Sequence, residues 1–296
     1  MSDAAAEPGV PVDTTKPIPQ ASQKSVSNEV QKKAPGLVKY AQTPDKVILR
    51  LNKLISTPGG LNSFLSTFNY TLYLVAYLES KSIPLQTRLF SLLGRSGPSP
   101  ATLAAPSHIA ALGTLLSSTR TTLRLFGLFP LYAWMRTLLQ GPKQGQDPVL
   151  YATALTQCTF YILFQGLENI GLLTDHKVLS PSATARWNKS GTTARIYTWS
   201  YRAWLAGVLC DFVRLGREAQ LERIKRSSGD VSTTEQEKTD GKWWSELVVP
   251  FAWLPVALQF AGVREGGLPG FNLGIMGACG AMAGLSKTTA LWEITA

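Results

Sequence analysis

Between Leu268 and Leu285 the chain runs for eighteen residues without a charge. That length and apolarity fit a membrane span with modest mismatch. Within the run Gly270, Gly274, Gly277, Ala281 and Gly284 recur at steps of four and three, which places small residues along one helical face. Membrane helices use such a stripe for close backbone contact, whereas in a soluble helix each glycine costs about 1 kcal/mol relative to alanine. A flexible soluble loop is the competing reading, and the lack of polar residues argues against it. The run predicts a C-terminal transmembrane helix or hairpin, with these five small residues as its helix–helix packing face.

The rest of the chain carries its charge in blocks. Charged residues make up only 16% of the 296, against roughly a quarter in ordinary globular proteins. What charge there is leans basic, with 29 Lys+Arg against 19 Asp+Glu. Residues 43–142 hold nine basic residues and two acids, and 186–226 hold nine and three, while 243–296 is nearly bare. Basic charge points to an anionic partner, either nucleic acid or a lipid headgroup surface. A soluble nucleic-acid binder has no need of the bare end, so the pattern favours an anionic phospholipid membrane and no nucleic acid.

Composition also divides the chain. Residues 1–42 are rich in Pro, Ser, Gln and Lys and read as a disordered tail. Residues 43–185 form an amphipathic and apolar helical region. Residues 186–296 hold a Trp-rich helix, a polar loop at 227–242 read as mobile, and the C-terminal membrane segments. Further breaks fall at Gly94 to Pro106 and Asp175 to Ser190. Period-2 alternation is weak throughout, so the fold class is all-α: a membrane-associated helical bundle with amphipathic interfacial helices. Residues 149–167 carry no charge, and 247–263 are apolar. In 196–213, Trp199, Tyr201 and Trp204 resemble an interfacial belt around Arg202.

Two segments are amphipathic. From Asp45, a helix to residue 57 places Val47, Ile48, Leu51, Leu54 and Ile55 on one arc, with Lys46, Arg50 and Lys53 on its flank. About 20 Å long, it is too short to cross a hydrocarbon core of ~30 Å but can lie in the interface. Burial of each aliphatic is worth at most ~1.5–3 kcal/mol, and each cation near an anionic leaflet adds about 1 kcal/mol. Wedged into one leaflet, such a helix favours curvature. Packing on a protein core is the other use of the same pattern. In 107–140, Arg120 and Arg124 share a face, and can grip phosphate as lipid-headgroup contacts or form a solvated flank; Gly127 and Pro130 bend or break this helix.

Catalytic chemistry is not legible. The carboxylates are sparse and unpaired, and no nucleotide-binding, nucleophile-elbow or zinc-protease motif occurs. With His108 and His176 the only histidines and Cys158, Cys210 and Cys279 scattered, no metal site and no disulfide framework is expected. The cysteines read as buried and reduced. The chain is expected to be no enzyme and to need no cofactor.

Taken in order, several blocks resemble the peroxin-11 family in a fungal-type version. They are Asp45 to Leu54, Ser118 to Phe126 with Arg120 and Arg124, Phe164 to Gly171, Ala185 to Trp187 with the Trp-rich segment after it, and Gly284 to Trp292. The resemblance covers most of 43–296. It implies an integral, multi-pass peroxisomal membrane protein that elongates and tubulates the membrane during peroxisome division by inserting an amphipathic helix. It also implies partners: further copies of the chain, and the fission machinery of adaptor and dynamin-related GTPase. A pore for small metabolites is the alternative, with Gln157, Gln165 and Glu168 along its path.

Overall fold

The computed structural model describes residues 35–92, 107–186, 192–227 and 233–295. Among them every regular element is helical, as the missing period-2 pattern requires. Helix α1 spans Pro35–Ile55, α2 Pro58–Leu92, α3 His108–Leu123, α4 Leu128–Leu138 and α5 Pro148–Asp175. A single turn, α6, covers Pro181–Thr184, followed by α7 Ala194–Ser227, α8 Thr233–Phe260 and α9 Leu273–Ile294. A 3-10 turn, Arg124–Phe126, separates α3 from α4. The chain divides into two compact units after Asn52, so most of α1 forms a unit of its own.

Local chemistry explains the helix starts. Asp147 accepts from the backbone of Val149 and Leu150 at 3.0 Å each, and Pro148 follows at the first helical position. Ser107 accepts from Ala110 N, and Asn272 from Ile275 N at 3.1 Å. The first amphipathic helix ends at Ile55, just before Pro58, and Pro58 opens α2, where its missing N–H is not needed.

The second unit packs its helices antiparallel in the order α4, α5, α7, α8, α9, α2, α3, and the 3-10 turn after α3 rests on α5. The last helix therefore pairs most extensively with α2, one of the first. The antiparallel sense shows in the pairs themselves. Thr288 Oγ1 meets Ser63 and Thr67 at 2.9 and 2.8 Å, whereas Gly274, near the other end of α9, faces the Tyr77 ring.

Three expectations are corrected. No helix among the described residues is long and apolar enough to cross a membrane, so neither the C-terminal transmembrane helix or hairpin nor the multi-pass topology is found. The uncharged run is split: Gly266, Gly267 and Gly270 adopt φ of +78°, +79° and +74°, a region open to glycine, and hold the preceding stretch in turns until Asn272 caps α9. In α5 the continuous apolar run is diluted by Thr153, Gln157, Gln165, Glu168 and Asn169, all buried. The polar loop of 227–242 is helical from Thr233 onward, and Asp240 on that helix reaches Arg226 of α7 at 2.6 Å. The 1–42 tail is helical from Pro35; residues 1–34 and the loop 94–106 lie outside the described residues.

Candidate membrane interface

Polar chemistry gathers in the interior of the second unit. Arg124, on the 3-10 turn, donates to Glu168 Oε1 of α5 at 2.8 Å and to Thr121 Oγ1 at 3.2 Å. Glu168 is buried, with its side chain 2% exposed. Burial raises its pKa, and the facing Arg124 works against that rise. The next residue, Asn169, donates to the Leu125 carbonyl at 3.1 Å and accepts from Gln165 at 2.9 Å. Gln165, Glu168 and Asn169 of α5 thus hold the break between α3 and α4. Gly127 lies so close to Gln165 that a Cβ there would come within 2.8 Å of its Oε1. Arg120 is also buried, its guanidinium 5.4 Å from the centre of the Tyr70 ring, and desolvation lowers its pKa. Gln157 donates to the Gly207 carbonyl at 3.0 Å, and Ser200 to that of Phe164 at 2.8 Å.

Small residues do the close packing. Gly274, Gly277, Gly280, Ala281 and Gly284 are all buried on α9. A Cβ at Gly277 would overlap Leu74 N and stand 2.8 Å from Leu74 Cα and 2.9 Å from the Tyr70 carbonyl. Backbone meets backbone here, which any side chain would prevent. Gly270 is not part of this face, since it sits in the turn before the helix.

Large apolar side chains point the other way. On α3, the 3-10 turn and α4, Leu112, Leu115, Phe126, Phe129 and Tyr132 are exposed, Phe129 to 72%. Phe68, Val75 and Leu78 of α2 are exposed, as are Leu163 and Ile170 of α5, Leu209 and Val213 of α7, Phe251 of α8, and Met282 and Leu285 of α9. The second unit therefore buries polar and small residues such as Glu168, Gln165, Asn169 and Gly277 beside an apolar core of Ile196, Val208, Leu215 and Val256, and leaves many Leu, Phe and Tyr side chains exposed.

The chain ends of the helices reverse the pattern once more. Arg217 of α7 grips Asp147 at 2.7 Å, and holds its carboxyl below the usual range. Arg214 bonds Glu246 at 2.8 Å and Glu218 at 3.0 Å. Arg226 bonds Asp240 and Glu222.

In α1, Lys46, Val47, Ile48 and Leu49 are exposed, while Arg50 and Leu51 are half-buried. The arc expected at Val47, Ile48, Leu51, Leu54 and Ile55 is thus divided. Leu54 is buried and Ile55 half-buried, and both belong to the second unit, where Lys53 donates to the Thr295 carbonyl at 3.4 Å. The two arginines read as headgroup contacts are placed inside, Arg120 behind Tyr70 and Arg124 on Glu168.

The family model for Peroxisomal biogenesis factor 11 (PEX11) matches residues 87–292. The chain belongs to the Peroxisomal biogenesis factor 11 family. The match runs from the end of α2 into α9 and takes in the interior cluster, the glycine face and the charged ends, but not α1. No curated protein and no solved structure matches the chain. Membership gives it a role in peroxisome biogenesis and an association with the peroxisomal membrane. Within the region matched to Peroxisomal biogenesis factor 11, sequence reasoning missed Gly280, which a strict four-three ladder skips, and the pairing of Arg124 with Glu168. Arg217 with Asp147 was missed too.

Proposed function

We propose that the chain is a non-enzymatic membrane-remodelling protein, which elongates the peroxisomal membrane during division and proliferation. The observation that carries this reading is the number of large apolar side chains exposed on the second unit, over an interior that also buries Glu168, Gln157, Gln165 and Asn169. Such a surface is stable against acyl chains, where interior polar groups must satisfy one another. Embedded in one leaflet, it spreads that leaflet relative to the other. The exposed row Lys46, Val47, Ile48 and Leu49 adds a shallow wedge with a cation beside it. Self-association and recruitment of the fission machinery, an adaptor and a dynamin-related GTPase, follow from the same role, as they do for the family.

The test uses the full chain and vesicles containing anionic phospholipid. Native protein is expected to co-sediment with the vesicles and to draw tubules visible by electron microscopy. Val47→Asp with Ile48→Asp is expected to reduce tubulation, and Leu115→Asp with Phe129→Asp to abolish binding. Undiminished tubulation by both double variants would sink the reading. A second reading, a channel for small metabolites, is favoured by the polar interior of Gln157, Gln165 and Glu168. It predicts steady conductance across planar bilayers that Glu168→Gln alters.

A further inference from the structure

Trp199, Tyr201 and Trp204, one interfacial belt by sequence, are separated by the fold. Tyr201 packs on Phe260 with ring centres 5.2 Å apart, and Trp204 on Trp253 at 5.6 Å. Trp199 turns outward, 47% exposed, with the Arg202 guanidinium 5.0 Å from its ring centre. Arg195, Trp199, Arg202, Ala206, Leu209 and Val213 follow at steps of four and three, and so share one face of α7. All but Ala206 are exposed. The face is graded, with two cations and an indole at its start and aliphatic side chains beyond. No carboxylate answers those cations. Asp211, the only acid of α7 before Val213, stands across the helix and lies 3.6 Å from Arg214. Asp175 of α5 accepts from the hydroxyls of Thr193 and Tyr197 at 2.6 and 3.0 Å, and Tyr197 also stands across the helix from Arg195. Helix α8 carries no acid beyond Glu246, and in the turn after it Arg264 and Glu265, both exposed, offset each other. Arg195 and Arg202 form no ion pair among the described residues, and Arg202 donates only to the Ala261 carbonyl, at 3.1 Å. At the other end of α7, by contrast, Arg214, Arg217 and Arg226 each hold a carboxylate.

We propose that this face of α7 lies along an anionic phospholipid leaflet, with phosphates at Arg195 and Arg202 and acyl chains against Leu209 and Val213. Phosphates bring the negative charge that the start of the face lacks, and methylenes match its aliphatic continuation. An indole favours the boundary between the two, and arginine stems can lie on apolar surface while their heads reach the phosphates. A soluble anion would satisfy the cations and leave Leu209 and Val213 in water. An acidic peptide would bring backbone groups to a row that offers them no partner. A second copy of the same face would add two further cations and no acid. The placement rests on the membrane-remodelling reading and gives it a headgroup preference and a named lipid-facing helix.

The experiment mixes the full chain with vesicles of phosphatidylcholine, alone or with a minor fraction of phosphatidylglycerol. Native chain is expected to co-sediment preferentially with the phosphatidylglycerol vesicles. Arg195→Gln and Arg202→Gln should each cut that preference about fivefold, the equivalent of roughly 1 kcal/mol per cation. Arg202→Lys should keep it, which separates the charge from the bond to Ala261. Phosphatidylglycerol with brominated acyl chains is expected to quench tryptophan fluorescence, and Trp199→Phe to remove part of that quenching. Far-ultraviolet dichroism checks that the variants fold. A preference that survives both glutamines together, or equal quenching with and without Trp199, would overturn the placement. So would shielding of Trp199 from acrylamide that grows with protein concentration without vesicles, the mark of a second copy on this face. In each of these cases tubulation by the native chain would leave the remodelling reading standing. A chain that never joins the vesicles would overturn both.

Discussion

The middle of the second unit and the outer ends of α7 and α8 both hold arginine–carboxylate pairs, yet under opposite conditions. Arg124 and Glu168 meet where the surrounding outer surface is Leu and Phe, and the carboxylate is 2% exposed. Arg226 and Asp240 meet at the end of a charge-laced helix pair, with Asp240 54% exposed. An ion pair in a dry setting contributes little net stability but is costly to halve, because one charge is left without its partner. An exposed pair is worth about 0–1 kcal/mol and is screened by salt. The same chemistry thus locks the middle and merely trims the ends.

Substitutions at four positions can break that contrast, each read by thermal or denaturant unfolding in mild detergent. Glu168→Ala is expected to cost about 3 kcal/mol or more, since Arg124 and the half of the network behind it lose their acceptor; Glu168→Ala unfolding like the native chain would mean the middle is wet. Gly277→Leu comes next, at about 1–3 kcal/mol, as α9 must move off Leu74; restoring the contact with smaller Gly277→Ala only in part would sharpen the size dependence. The Asp147–Arg217 pair stands between the two regions. Because the Asp147 carboxyl is held low in the folded chain, its stabilisation is complete above the ordinary aspartate pKa and is lost as the pH falls through the lowered folded value. Asp147→Asn should remove that acid-side slope and lower stability at neutral pH through the lost charge on Arg217, while its amide oxygen keeps the cap. The smallest effect belongs to Asp240→Asn, whose exposed pair with Arg226 is screened by water and salt. High salt should erase it, whereas salt should leave the Glu168→Ala difference nearly intact.

What the sequence made legible were features written within one segment. The all-α fold and the small face of α9 from Gly274 onward each depend on neighbours a few residues away. The interior cluster does not. Arg120 and Arg124, four residues apart, look the same whether they face phosphate, water or a protein interior. The deciding partner, Glu168, lies on another helix, and only the fold brings it to 2.8 Å. The expected span failed for a related reason. Absence of charge marks Leu268–Leu285 as apolar, but three glycines with positive φ decide where the helix begins. Hydropathy read along a single strand of sequence is also lowered by the side chains that face inward, such as Gln157 and Asn169 of α5. A bundle that buries polar groups beside its apolar core conceals its apolar surface from such a reading.

The order of packing sets a schedule for the chain's synthesis. Helix α2 leaves the ribosome early, but the helix that covers Tyr70, Leu74 and Tyr77 is α9, the last described one. Contacts between segments so distant in sequence form slowly. Until α9 appears, that face of α2 must wait without its permanent neighbour, open to aggregation or to a holding chaperone. A chain released before residue 273 would keep α5, α7 and the whole of α8, and still lack the helix that closes the bundle.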